Sequence, residues 1–244
     1  MDEIYNLACP GSPVYSRLDP LNTIKTSIIG VMNMLELAKK LNIRILQAST
    51  SEIYGSLKNY PLLENDYGNV NPIGIRSCYE ESKRCAETLA MTYFRQFKIG
   101  IKLVRIFNTY GPKMLPDDGR IASTFIVQAL KNENIQIFGD GTQVRSFCYV
   151  DDLVKGLIKM MASDDNFIGP VNLGHPSGFT ISDVAKKIIR LIHSNSKIIY
   201  KDVLNASPLN RQPDIRLAKK EIKWEPETTF EEGLNKTIHY FDAL

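Results

Sequence analysis

Apolar residues along the chain fall into two alternating patterns. Short continuous runs, Ile4–Ala8, Ile43–Ser49 and Ile101–Phe107, read as strands buried on both faces. Between them, Thr23–Leu41 repeats at helical spacing, with Ile24, Ile28, Val31, Met32, Leu35, Leu37 and Ala38 on one broad face. Tyr79–Phe97 reads as a second long helix, and residues 55–77, with their Gly, Pro and Asn, as an irregular loop. Strand–helix–strand–helix–strand with apolar strands predicts an α/β fold: a parallel sheet covered by helices on both faces.

After Gly111-Pro112 the pattern shortens. Helices are predicted at Ala122–Leu130, Leu153–Met161 and Ile181–Ile192, the last following Thr180. Short strands are predicted at Ile135–Phe138, Phe147–Val150 and Pro170–Leu173, with a turn at Gly139-Asp140-Gly141. The division expected is a sheet domain over 1–160, with 110–145 contributing to a substrate side, and a smaller C-terminal α+β lobe over 161–244.

Composition narrows the possibilities. The chain has 244 residues, 43% hydrophobic and 23% charged, the profile of a globular protein. Its net charge of +3 is spread over scattered lysines and arginines, with no basic tract for nucleic acid. No apolar run approaches the roughly 18 residues of a membrane span, and no signal peptide is visible, so a cytoplasmic protein is expected. Cys9, Cys78, Cys85 and Cys148 form no C-x-x-C pair, and His175, His193 and His239 are far apart. Reduced, mostly buried thiols and no metal site are expected.

The candidate chemistry lies at Tyr79 and Lys83. Four residues apart on a helix, they share one face. A phenol titrates near pH ~10, and a nearby ammonium stabilises its phenolate, so the pair can take a proton from a hydroxyl. The spacing alone also fits a half-buried tyrosine beside a solvated lysine. Position favours the chemical reading. The pair opens the helix that follows the second strand, and Thr50-Ser51-Glu52 ends that strand, where open α/β sheets bind ligands.

Several stretches then agree in one order: Thr50-Ser51-Glu52-Ile53-Tyr54-Gly55, Cys78-Tyr79-Glu80-Glu81-Ser82-Lys83-Arg84, Arg105-Ile106-Phe107-Asn108-Thr109-Tyr110-Gly111-Pro112 and Asp118-Gly119-Arg120. With these the chain resembles the extended short-chain dehydrogenase/reductases that modify nucleotide sugars. Asn69-Val70-Asn71-Pro72-Ile73-Gly74, Asn210-Arg211-Gln212-Pro213-Asp214-Ile215 and Trp224-Glu225-Pro226 narrow the resemblance to the UDP-glucuronate decarboxylase family. It implies a Rossmann-like sheet, NAD as cofactor and a UDP-sugar substrate oxidised at C4, decarboxylated and reduced again. Thr50, Glu52, Tyr79, Lys83 and Arg211 would be catalytic. Ala8, Thr50, Tyr79, Lys83 and Phe107 would meet NAD, and Asn108, Arg120, Phe138, Arg145 and Arg211 the substrate. Glu52 and Arg211 would lie beside the sugar carboxylate and C5. Dehydratases tend to have Asp-Glu after the threonine, where this chain has Ser51-Glu52, and epimerases generally lack the glutamate. A nucleotide-sugar 4-epimerase or 4,6-dehydratase is therefore the alternative within the enzyme class.

The chain also departs from that family. The Gly-rich turn that cradles a dinucleotide pyrophosphate is absent from these residues. By comparison, roughly three strands and two helices would precede Ile4–Ala8. The expectation is an N-terminally truncated form with intact catalytic side chains, doubtful activity and weak NAD binding on its own. Its first strand would be an open edge, prone to aggregation or pairing. Asn22 and Ser27 replace a usual lysine and asparagine. A homodimer, or a non-catalytic partnership with a full-length paralogue, is expected through the helices at Thr23–Leu41 and Tyr79–Phe97.

Overall fold

The protein is described by a computed structural model covering residues 1–57, 59–202 and 210–244. Four parallel strands, Glu3–Asn6, Arg44–Thr50, Ile101–Ile106 and Val171–Leu173, form the main sheet in that spatial order. Neighbouring residues on one strand serve opposite faces. Ile45 and Ile101 join Val31, Leu35, Ala86 and Ala90 beneath the helices on one side. Leu46 and Val104 join Leu153, Leu157, Met160 and Trp224 on the other. Period-2 geometry with apolar residues on both faces is why these strands read as continuous hydrophobic runs.

On the first side the chain climbs Pro20–Lys25, widens into one π turn at Thr26–Gly30, and continues as Val31–Leu41. Asn42 stops it in the left-handed conformation at φ 51°. Ser77–Phe97 packs alongside. On the second side Val150–Met161 and Arg216–Ile222 cover the sheet. Trp224, 1% exposed, donates its Nε1 hydrogen to the Asp152 carbonyl at 2.8 Å, locking the two together.

A second cluster gathers Ile121–Leu130, Ile135–Phe138, Ile181–Ile192 and Phe230–Asp242 around Phe125, Phe147, Val184, Ile188 and Leu234. Hydrogen bonding and packing join segments from both sides of residue 160. Val171–Leu173 pairs with Val104–Ile106 in the main sheet, while Ile121–Leu130 and Ile135–Phe138 pack in the second cluster. The chain crosses between the two bodies more than once because short apolar strands find partners far away in sequence.

The cysteines are free, but only Cys148 is fully buried; Cys9, Cys78 and Cys85 are half-buried, which corrects the expectation of mostly buried thiols. Among the described residues no helix is long and apolar enough to cross a membrane.

Candidate active site

The site forms where the second strand ends. Thr50 is extended, at φ −147° and ψ 154°, and its Oγ1 accepts a hydrogen bond from the Glu52 amide at 3.2 Å. That cap turns the chain into the short 3-10 turn Ser51–Tyr54 and places Glu52 just past the strand. The helix Ser77–Phe97 starts after Arg76, so Tyr79 and Lys83 occupy its first two turns on one face. Lys83 is 4% exposed, and its Nζ donates to the Ala48 carbonyl at 3.0 Å. Ala48 is two residues before Thr50, so this contact holds the helix against the strand that carries Thr50. Cys9, at the end of the first strand, hydrogen-bonds Lys83 and lies with its Sγ 3.1 Å from Ser27 Oγ.

Electrostatics here differ from the simple expectation. Burial pushes the Tyr79 phenol up, and hydrogen bonding to Thr50 only partly offsets it. Burial likewise pushes the Lys83 ammonium down, against Cys9, which holds it up. The lysine donates to a backbone carbonyl, and desolvation prevails over the stabilisation expected from the i, i+4 spacing. Difference absorbance between wild type and Tyr79→Phe is therefore expected to show no tyrosinate up to about pH 10 in the free protein. A Tyr79 tyrosinate signal near neutral pH contradicts this.

Glu52 is the electrostatic centre. Burial would raise its carboxyl, but the Arg211, Arg76 and Arg145 guanidinium groups outweigh that and hold it below the usual carboxylate range. Arg211 Nη1 donates to Glu52 Oε1. Arg76 Nη2 lies 2.8 Å from Oε2, close enough to pair but not aligned as a hydrogen bond. Arg145, beside Arg211 in paired strands, is pushed down to about 10 by burial and by Arg211.

Arg211 arrives from far along the chain, and its placement is specified. Asn210–Arg211 pairs in parallel with Val144–Ser146. The next residues are hydrogen-bonded to the 55–77 loop: Leu62 donates to Gln212 at 2.9 Å, and Asp214 donates to Leu62 at 2.9 Å. Asn172, at the end of the main sheet, donates to the Leu62 and Asp214 carbonyls and accepts from Tyr54 Oη at 2.7 Å. Tyr54 belongs to the Glu52 turn, so one buried amide ties both halves of the Glu52–Arg211 pair. Arg211 is 4% exposed, and its buried Nε has no hydrogen-bond partner among the described residues.

Two adjoining cavities meet here. One of about 440 Å³ is lined by Tyr79, Ile137, Phe138, Gln143 and Arg145. The other, about 190 Å³, is lined by Glu52, Asn108, Arg120, Arg145 and Arg211. Pro13, Arg76, Gly119, Ile121 and Arg145 line both, making one cleft. Phe138 is 57% exposed at its edge and outside the core. Arg120 is paired to Asp118 at the wall. Phe107 is 2% exposed and packs with Ile53, Tyr54 and Leu62, so its ring serves the core; Ala8 is exposed at the first strand's end. Sequence reasoning missed Arg76. Its signal was helical arithmetic: three residues before Tyr79, it shares the Tyr79–Lys83 face.

A parallel sheet with a Tyr-x-x-x-Lys pair opening a helix at its carboxyl end defines an extended short-chain dehydrogenase/reductase. The family profile described as GDP-mannose 4,6 dehydratase matches residues 1–237, and the chain belongs to that family. Among curated relatives, UDP-glucuronic acid decarboxylase 5 of Arabidopsis thaliana is 50% identical over 234 residues, 96% of this chain and 68% of the relative. UDP-glucuronic acid decarboxylase 4 of the same plant is 48% identical over 99% of this chain and 54% of the relative. UDP-glucuronic acid decarboxylase 1 of Xenopus tropicalis is 48% identical over 99% of this chain and 57% of its own length. The chain thus spans between about half and two thirds of these relatives. Among solved structures, UDP-glucose 4-epimerase of Thermotoga maritima with UDP-glucose superposes with TM-score 0.92 at 27% identity, over 99% of this chain and 77% of that one. UDP-glucuronic acid 4-epimerase of Bacillus cereus with UDP-glucuronic acid and NAD superposes with TM-score 0.89 at 26% identity, over 100% and 76%.

Proposed function

We propose that this chain carries the catalytic face of an NAD-dependent UDP-glucuronate decarboxylase. The observation that carries the reading is Glu52, ionised between Arg211 and Arg76, on the same cleft as Tyr79. Arg211 and Arg76 both reach Glu52 from the wall of this cleft, so a sugar acid bound there meets two guanidinium groups that a neutral sugar does not need. The names of the relatives support the same substrate.

The residues present fit the nicotinamide end of NAD. Lys83 has three N–H donors, with the Ala48 carbonyl and Cys9 as described partners, which leaves a donor for a ribose hydroxyl. When bound in its oxidised form, NAD would supply the acceptor for the hydrogen and electron pair that leave C4. Tyr79, hydrogen-bonded to Thr50, takes the O4 proton as C4 becomes a ketone. The sugar is then a β-keto acid. Its C5–carboxylate bond breaks, CO2 leaves, and the electron pair delocalises into the C4 carbonyl. A proton from solvent water adds at C5, and Tyr79 returns its proton to O4 when the ketone is reduced. Glu52 is held ionised in the free protein. It fixes Arg211 beside the carboxylate, and Arg211 Nε is a buried donor with no partner among the described residues. Asn108, Arg120 and Arg145 line the diphosphate end, and Phe138 offers an open ring face for the base.

The test incubates the chain with excess NAD and either UDP-glucuronate or UDP-glucose. Conversion of the uronate to UDP-xylose, with UDP-glucose untouched, is expected; C4 epimers of both sugars would overturn the reading.

A homodimer is part of the proposal. The helices at 20–41 and 77–97 expose Ile29, Met32 and Phe97, apolar side chains suited to a shared helical interface. Size-exclusion chromatography with light scattering is expected to give twice the chain mass, and a monomer at every concentration would contradict it.

A further inference from the structure

Arg76 stands where the two cavities join and lines both. It is the residue before the catalytic helix, and its backbone carbonyl accepts from the Tyr79 amide at 3.0 Å. Its side chain is therefore placed by the same turn that places Tyr79. The guanidinium is shared between two carboxylates: Nη2 is 2.8 Å from Glu52 Oε2, and Nε is 3.3 Å from Glu80 Oε1. Neither contact holds it as Arg211 is held. Arg211's side chain keeps 5% of its exposure and is hydrogen-bonded to Glu52, whereas Arg76's keeps 39%. Arg76 is thus the guanidinium on this side of Glu52 with room to re-aim.

A sugar carboxylate entering beside Glu52 meets a like charge. Two carboxylates at one site both stay ionised only with a cation between them; otherwise one takes up a proton. Arg211 already serves one oxygen of Glu52, so a further guanidinium is needed to bridge Glu52 and the incoming anion.

Resting on the uronate reading above, we propose that Arg76 determines specificity for the acid sugar: it leaves Glu80, keeps Glu52 and binds the carboxylate in a fork, closing a jaw with Arg211. A neutral hexose gives it no new partner, so Glu80 retains it and nothing is gained.

The experiment is calorimetric titration of the 244-residue chain with UDP-glucuronate, UDP-glucose and UDP, for wild type, Arg76→Gln and Arg76→Lys. Wild type is expected to prefer UDP-glucuronate. Arg76→Gln weakens UDP-glucuronate roughly tenfold or more while UDP-glucose and UDP stay within about twofold, and Arg76→Lys recovers part of the loss because a point charge remains but the fork does not. UDP binding in each variant reports that the fold and nucleotide site persist. Equal weakening of all three ligands would assign Arg76 to the diphosphate or to folding and overturn the proposal, as would unchanged UDP-glucuronate affinity. A wild type that binds UDP and both sugars equally would overturn the uronate reading itself, and Arg76's role with it.

Discussion

Tyr79→Phe is expected to lower turnover of UDP-glucuronate by roughly 10³-fold, the scale of a lost general acid–base group. The ring is retained, so packing at the start of the helix is unchanged and UDP-glucuronate binding should persist. The loss then falls on kcat and kcat/KM together, the mark of an interaction made in the transition state. The pH profile gives a second check. Tyr79 acts as a base with its phenol pushed up by burial, so the wild-type rate should rise with pH as the phenolate fraction grows. Glu52 is held below the ordinary carboxylate range and stays ionised, so it adds no acid limb above about pH 4.3. Steady-state kinetics across pH, with binding measured separately, check both. A variant that keeps most of its turnover would remove Tyr79 from the mechanism.

Arg211→Met is expected to cost about 3 kcal/mol of stability, because the buried Glu52 loses its hydrogen-bonded partner and keeps only Arg76 and Arg145 nearby. Decarboxylation should be lost with it. Adding Glu52→Gln to Arg211→Met should restore most of the stability but none of the activity, since the stranded charge is gone. Trp224 reports the unfolding directly: it is the one tryptophan in the sequence, buried on the far side of the sheet from the Ser77–Phe97 helix. The sign with pH follows from the depressed Glu52 carboxyl. Its contribution is fully present above the unfolded value of about pH 4.3 and is lost as pH falls through the lower folded value. The single variant should lose that acid-side advantage. Urea unfolding at several pH values measures it, and an unchanged midpoint would show the pair to be energetically idle.

Legibility from sequence followed the range of the forces involved. Ile181–Ile192 was readable residue by residue because its stripe is strong and Thr180 caps it, accepting from the Asp183 amide at 3.0 Å. The central strands were readable within a residue or two because both faces are apolar. Phe230–Asp242 went unread although Thr229 and Glu232 form a capping box, a local signal present in the sequence. The strands Val144–Ser146, Gly178–Thr180 and Asn210–Arg211 could not be read, since two or three residues carry no periodicity and exist through distant pairing. The site divides in the same way. Tyr79, Lys83, Thr50 and Glu52 follow from one helix turn and one strand end. That Arg211 would reach Glu52 depends on Asn172 and Leu62, which no local pattern connects to either. Phe107, expected at the cofactor, packs its ring with Ile53, Tyr54 and Leu62, a burial its apolar side chain favours.

The central claim is that Glu52 and its arginines direct a Tyr79-centred oxidation towards loss of the sugar carboxylate. The measurement is the fate of a 13C label placed in the carboxylate of UDP-glucuronate, followed by NMR with NAD in excess. The account predicts that the label leaves as CO2 in step with the appearance of UDP-xylose, and that Arg211→Met abolishes its release. Label retained in a C4-epimerised UDP-uronate would contradict it and make the cleft that of an epimerase.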